Sequence, residues 1–366
     1  MAQGGAEAQL VNLLHFMNPH AQQHLVMIYP REKFPFFYEA DVETLRIDFT
    51  FLNRQSGFTN RIPVGWRYLQ TIRRFRPQII HAHNWHAIDM ARQFRRYFPL
   101  LRRVPLIANP HSLMDDKDQR RISIERRFWH HATHIVAVSK ALAADYRQAV
   151  PECENRLMTI ENGIDISHFI AGDRDTARMQ LNLPQHIPIV LYAGRIHPEK
   201  NLTALIEAFR RLNHETAILL LVGRNDDKDY FNTLRKLTEN LDTIRFLPEK
   251  RDMLPFYRAC DFLVLPSLRE SMGNVILESA ACERPAMILP HINRNNLVQD
   301  GQTGWVVHGE NIDALTNALH EALAASDVQR ETMGRAARAH IIARELTLEH
   351  MANAYLNLYR ESVKNR

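Results

Sequence analysis

Four charged side chains mark where this sequence could do chemistry: Arg195 and Lys200 in one stretch, Glu270 and Glu278 in another. Arg195 and Lys200 belong to Gly194-Arg195-Ile196-His197-Pro198-Glu199-Lys200-Asn201, which follows an apolar run that reads as a strand. A guanidinium fork and a point-charge ammonium suit a diphosphate, although two cations in a solvated loop need no ligand at all. Glu270 and Glu278 flank a junction: the apolar run 262–265 stops at Pro266, a loop carries Glu270 and Gly273, and a helical pattern from Asn274 holds Glu278 in its first turns. In an open parallel sheet such a junction lies at the carboxyl end of a strand, where ligands bind and where helix N-termini offer N–H groups to anions and hydroxyls. Two carboxylates also suggest paired acid and base catalysis, a reading that needs both to face one bond.

The first half offers weaker signals. Gly4-Gly5-Ala6-Glu7 opens directly into a helical pattern over 6–17, and a glycine pair at a helix start can bring backbone amides to a phosphate or can be a plain turn. His81, His83 and His86 follow a strand pattern, with alternation placing His81 and His83 on one face; no carboxylate completes a metal-ligand spacing. His111, past the strand pattern 105–108, is a better candidate for touching a substrate, its plain alternative being a loop cap. The stretch 92–103 mixes Arg92, Arg95, Arg96, Arg102 and Arg103 with Phe94, Tyr97, Phe98 and two leucines. It suits an anionic bilayer or, equally, a solvated basic face. No recognition motif accompanies the charge, which disfavours nucleic acid.

The elements that must position these groups alternate along the chain. Strand patterns at 24–29, 78–82, 105–108, 135–139 and 157–160 interleave with helical ones at 64–75, 88–97, 123–132 and 141–150. A second series of strands follows at 189–193, 217–222, 243–246, 262–265, 286–289 and 305–308. This is α/β with parallel sheets, and 366 residues exceed one core, so two Rossmann-like halves across a cleft are expected. The boundaries read 1–165 for the first domain, 166–184 for a linker, 185–345 for the second domain and 346–366 for a terminal helix returning to the first. Residues 1–160 hold 22 Lys and Arg against 14 Asp and Glu, the remainder 24 against 27, so the basic character belongs to the first half and points to an anionic acceptor or surface. Cys153, Cys260 and Cys282 form no CxxC pair and read as free thiols. With no apolar run of spanning length and no signal peptide, the expected location is cytoplasmic, with peripheral contact to the inner membrane through 92–103.

Together these pieces resemble the retaining GT-B glycosyltransferases of family 4. The resemblance rests on Gly4-Gly5-Ala6-Glu7, His81-Ala82-His83, Val136-Ala137-Val138-Ser139, Asn162-Gly163-Ile164-Asp165, the Gly194-Arg195 to Lys200 loop, and the Glu270 to Glu278 element, which has the family's Glu-x7-Glu spacing. It implies a nucleotide-diphosphate sugar held mainly by the second domain and an acceptor held by the first. Carried over by position, Glu278 takes the ribose diol and Glu270 the sugar hydroxyls, helped by backbone at Met272, Gly273 and Asn274. Arg195 and Lys200 neutralise the departing diphosphate, so no metal or other cofactor is required. His111 falls at the donor sugar, and Gly4 and Gly5 fall where the family's loop nears the phosphates. Retention by a front-face route then needs no enzymic base.

The departures are Gly223-Arg224-Asn225-Asp226 in place of Gly-Asp-Gly, Pro248 and Glu283 where glycine is usual, and a stretch 291–296 without the usual glycine pair and glutamate. Family members also carry a strand before the glycine pair, so the resemblance implies that this chain begins about ten residues late. The expected activity is hexosyl transfer to a glycan or lipid-linked acceptor in bacterial surface polysaccharide, lipopolysaccharide or capsule. Alternatives are an inactive sugar-nucleotide or glycan-binding protein and a GT-B sugar-nucleotide epimerase.

Overall fold

The structure, a computed structural model, describes residues 5–30, 38–54, 61–114, 119–212 and 217–364. The chain divides into two compact units, Met1–Asn162 with Leu348–Arg366, and Gly163–Thr347.

The first unit contains β1 (His24–Met27), β2 (Asp48–Phe51), β3 (Ile80–His83), β4 (Leu106–Asn109), β5 (His134–Ala137) and β6 (Leu157–Thr159). Among the described residues they form two parallel sheets, β1-β2 and β3-β4-β5-β6. β4 and most of β5 are fully buried, as expected for parallel strands covered on both faces. The helix Leu348–Lys364 belongs to this unit: it lays Met351, Ala352 and Tyr355 against Ile107 and Val136, and the Tyr355 hydroxyl donates to Asn109 Oδ1 at 3.1 Å. The apolar core of the unit is broken into separate clusters.

The second unit contains β7 (Ile189–Ala193), β8 (Ile218–Val222), β9 (Ile244–Leu247), β10 (Phe262–Leu265), β11 (Ala286–Ile288) and β12 (Gly304–Val306), in the order β12-β11-β10-β7-β8-β9 and parallel throughout. Its first strand, β7, is central and wholly buried, and one continuous core fills both faces.

Four expectations are corrected. The stretch 166–184 is no linker: its helix Arg174–Gln180, capped by Asp173, sends Arg178 into the core, where the guanidinium donates to Ala259 O, Gln185 O and Asp261. The two arginines and the polar residues of that stretch look like a solvated tether in sequence, yet Ala259 and Asp261, which Arg178 reaches, lie some eighty residues on. The helix after β3 begins at Asn84 rather than at 88, because Asn84 adopts φ 66° and turns the chain immediately. The helix Glu39–Thr44 and strand β2 are additional elements, too short for a periodicity signal. Finally, 92–103 is not one basic face: Arg92 is fully buried in an ion pair with Glu125 at 2.5 Å, and Arg95 is buried against Arg102 O and Thr133. Tyr97 and Leu100 remain exposed beside Arg96 and Arg103.

Candidate functional site

In the second unit the carboxyl ends of two adjacent strands, β7 and β10, carry the charged groups. β7 ends at Ala193, and Gly194 continues with φ +152°. Gly223, at the end of β8, packs so closely that a Cβ there would overlap Gly194 O, so that position accepts glycine alone. The buried Tyr192 donates its hydroxyl to Arg195 O at 2.7 Å, fixing the loop from below. Arg195 pairs with Asp226 at 3.4 Å and lies near Glu199. Burial raises the pKa of Asp226, but hydrogen bonds from Arg224 and Arg195 outweigh it and leave the carboxyl below its ordinary value. The Arg-Asn-Asp departure after Gly223 therefore supplies a carboxylate that orients the loop's arginine.

Lys200 closes a short 3-10 turn, Pro198–Lys200, and its ammonium donates to Glu270 Oε1 at 2.6 Å, both side chains being mostly buried. The two loops are stitched by the Leu268 amide donating to Glu199 O at 2.9 Å. The loop after β10 is pinned again by the His291 ring at Ser267 O, 3.1 Å, and by Asn295 Nδ2 donating to Ser271 O at 2.8 Å. The stretch 291–296, irregular in sequence, thus holds the Glu270 loop in place.

Gly273 takes φ +79° as the residue before the helix Asn274–Ala281, and Met272 is buried beside it. A Cβ on Gly273 would also press on Ile276. The helix begins with its first amides directed back at the loop. Glu278 stands one turn in, partly exposed as a residue but with its carboxyl group enclosed; this desolvation raises its pKa, and the Tyr257 hydroxyl, donating to Oε2 at 2.6 Å, pulls the other way. Burial and the neighbouring Glu278 keep Tyr257 neutral, so it remains a donor. Glu278 keeps acceptor capacity besides this bond.

Arg195, Lys200, Glu270, Met272, Gly273, Asn274 and Glu278 are thus brought together. Tyr192, Asp226, Tyr257, His291 and Asn295 were not singled out; only the tyrosines carry a signal, each sitting at a strand end or in a buried helix of the same layer. Asp261, just before β10, is structural: it accepts from Arg178 at 2.7 Å, Arg174 at 2.8 Å and the Ile189 amide at 2.6 Å.

The remaining residues lie in the first unit. Gly5 opens the helix Gly5–Met17, and Gly4 lies outside the described residues. His111 follows β4 and meets His83, Nε2 to Nδ1, at 3.1 Å. The His81 and His83 rings are 4.0 Å apart, and His81 Nδ1 meets the Tyr359 hydroxyl at 2.6 Å. Burial holds all three neutral, His81 down to about 3, His111 to about 4 and His83 well below the usual value. His86 instead sets its ring edge-on to Tyr29. Among the described residues no group of three or more His, Cys, Asp or Glu is arranged to hold a metal ion. Ser139, in the Val136 to Ser139 motif, caps the helix Lys140–Ala149 by accepting from the Leu142 amide. Asp165 accepts from Ser167 and the His168 amide, closing a turn just past the boundary of the units.

Two parallel α/β units, the second with charged loops at the carboxyl ends of its central strands, define the GT-B class of fold. The family model described as Glycosyltransferase Family 4 matches residues 3–168, and that described as Glycosyl transferases group 1 matches 173–340. The chain belongs to the family 4 glycosyltransferases. A curated relative, the D-inositol 3-phosphate glycosyltransferase of Gordonia bronchialis, is 28% identical over 311 residues, covering 78% of this chain and 66% of that protein. The matches to the first such relatives span a little under two thirds of their length or less. Among solved structures, Anabaena HepE in complex with UDP and glucose superposes with a TM-score of 0.82 at 21% identity, over 97% of this chain and 95% of that one. A glycosyltransferase from Rickettsia africae gives 0.82 at 17% identity, over 100% and 97%. Among the described residues no helix is long and apolar enough to cross a membrane.

Proposed function

We propose that this protein is a retaining glycosyltransferase that moves a hexose-type sugar from a nucleotide-diphosphate sugar to an anionic glycan or lipid-linked acceptor in bacterial surface polysaccharide synthesis. The observation that carries this reading is the Lys200–Glu270 pair and Arg195 in the loops at the ends of two adjacent strands, followed by the enclosed Glu278 one turn into the helix Asn274–Ala281. Glu278 receives the ribose diol, and Glu270 the hydroxyls of the sugar. Lys200 has two N–H groups beyond the one given to Glu270, and with Arg195 it stabilises the diphosphate as negative charge develops on it during departure. This division of labour leaves neither glutamate to act as acid or base. Neutral His111 contributes a hydrogen bond rather than a charge.

HepE was solved with UDP and glucose, and curated relatives are named D-inositol 3-phosphate glycosyltransferase. Both fit the reading, as does the basic first half of the chain. Exposed Tyr97 and Leu100 next to Arg96 and Arg103 suit peripheral contact with an anionic bilayer from the cytoplasmic side. The test is turnover: a panel of UDP-, GDP- and ADP-hexoses with phosphorylated acceptors is followed for nucleoside diphosphate release, and the product's anomeric proton is read by NMR. Release with the α-configuration of an α-linked donor kept supports the proposal. Binding without release assigns the chain to the inactive sugar-nucleotide binders, and an inverted product removes retention.

A further inference from the structure

The loop that carries Arg195 is tied to its neighbour beyond the sheet. Past the ends of β7 and β8 the two segments go on pairing: the Ile196 amide donates to Arg224 O at 2.8 Å, and the Asp226 amide donates back to Ile196 O at 3.3 Å. Ile196 and Asn225 form a parallel bridge between these bonds. Ile196 is buried, and Gly223 lies so close to Gly194 O that the extension has little room to shift. Asp227 then caps the helix Lys228–Leu237 by accepting from the Tyr230 amide. Arg195, Arg224 and Asp226 therefore stand on one fixed platform, and a rearrangement among them is made by side chains alone.

The three charges are unequally engaged. Arg224 holds Asp226 with its fork: Nε donates to Oδ1 at 2.5 Å and one Nη to Oδ2 at 3.0 Å. Arg195 reaches the same Oδ2 with a single Nη at 3.4 Å, and its other Nη lies 4.0 Å from Glu199. A two-point charge-assisted pair outweighs one long contact, so Asp226 gives most of its charge to Arg224. Arg195 is left half held, with 41% of its side chain exposed. Where the family pattern carries Gly-Asp-Gly, this chain has a cation at 224 and its carboxylate two residues later. Two guanidiniums against one carboxylate leave a charge of +1, and the more loosely bound guanidinium is the one on the loop after β7.

We infer that Arg224 is a positioning residue for donor binding: by occupying Asp226 it leaves Arg195 able to exchange that carboxylate for the donor's diphosphate. This rests on the proposed placement of the diphosphate at Arg195. Arg224 needs no contact with the donor to act in this way. In its absence Arg195, already at Oδ2, would close its own fork on Asp226, and a diphosphate would have to break a two-point pair. With Arg224 in place the exchange breaks one long hydrogen bond and moves no backbone.

The test uses the full chain and measures dissociation constants for UDP, GDP and ADP and for uridine, guanosine and adenosine by calorimetry. Native protein is compared with Arg224→Ala, Arg224→Lys and the double variant Arg224→Ala with Asp226→Asn. The readout is the preference for a nucleoside diphosphate over its nucleoside, which general damage to the fold does not move. Arg224→Ala should lower that preference by about three- to tenfold, the scale of a partly exposed ion pair. Arg224→Lys keeps a point charge on Asp226 and should lose less. The double variant should recover most of the loss, because Asp226 no longer competes for Arg195 and the charge returns to +1. An unchanged preference in Arg224→Ala would overturn the inference. A double variant as weak as Arg224→Ala would overturn it too, since that result assigns Arg224 a direct contact with the phosphates. Native protein that binds none of the three diphosphates removes the nucleotide site itself, and the inference with it.

Discussion

Lys200 and Glu278 have opposite kinds of environment, and their variants should fail differently. Lys200 is held by a carboxylate, Glu270, at 2.6 Å. Lys200→Ala removes a donor to charge that develops at the leaving diphosphate, and kcat should fall by about 10²- to 10³-fold with a smaller change in donor KM. Steady-state kinetics check this, and near-normal kcat takes Lys200 out of the mechanism. Among the described residues Glu278 pairs with no cation; its carboxyl group is desolvated and its pKa is raised. A raised acid binds its proton more tightly in the folded state, so between the unfolded carboxyl value of about 4.3 and the raised one, stability declines as pH rises. Glu278→Gln should therefore leave the ligand-free protein as stable as before or more so at neutral pH. In the native enzyme, nucleotide affinity should be lost on acidification at a higher pH than an ordinary carboxylate would give, and a pH titration of binding reads this directly.

At the scale of elements, the strand ends owe their placement to interior groups that the sequence did not advertise. Asp261 joins two arginines and the first amide of β7, tying the helix Arg174–Gln180 to the two strands that carry the site. Asp261→Ala leaves Arg178 buried without its carboxylate and should cost about 3–5 kcal/mol, seen in chemical denaturation; a loss under 1 kcal/mol would make the network incidental. The strands β7 and β10 were legible because buried parallel strands are unbroken apolar runs ending at Gly194 and Pro266. The Glu-x7-Glu spacing was legible for the same reason, since it straddles a strand-loop-helix junction. Tyr257, Asn295 and Asp226 were not, because they reach the site from other helices and loops and their roles depend on contacts remote in sequence. The helix Arg174–Gln180 was lost inside a supposed linker because it is only seven residues long and its buried residues are a small alanine and an arginine, Ala177 and Arg178. In 92–103 the same blindness ran the other way: Arg92 and Arg95 counted as surface charge, although each has an internal partner.

Across the whole molecule the two units differ in how their cores are built and in how they respond to acid. The second has one continuous core; the first is divided and contains three clustered, neutral histidines. Groups whose folded pKa is lowered give a stability that is complete above the unfolded value of about 6.5 and is lost as pH falls from there toward the folded values. Each should cost about 1.4 kcal/mol per pH unit over that range. Lowering the pH from 7 to 5 should thus open the first unit before the second, which hydrogen exchange can follow; earlier opening of the second unit would contradict it. Two α/β units were readable from alternation alone; the division of the first sheet leaves no mark on either strand's own pattern and was anticipated only through the family resemblance.

The most direct measurement is nucleotide binding to the second unit's site, made on the full chain by thermal shift with UDP-, GDP- and ADP-sugars, native protein beside Glu278→Gln. At a hundred times its dissociation constant a ligand adds about 2.7 kcal/mol of stability. The account predicts a clear upward shift with at least one nucleotide sugar in the native protein, and an affinity weakened by about 10- to 100-fold in Glu278→Gln, the loss of one hydrogen-bonded charge. No shift with any of them, or the same shift in both proteins, would contradict the placement of the nucleotide at Glu278.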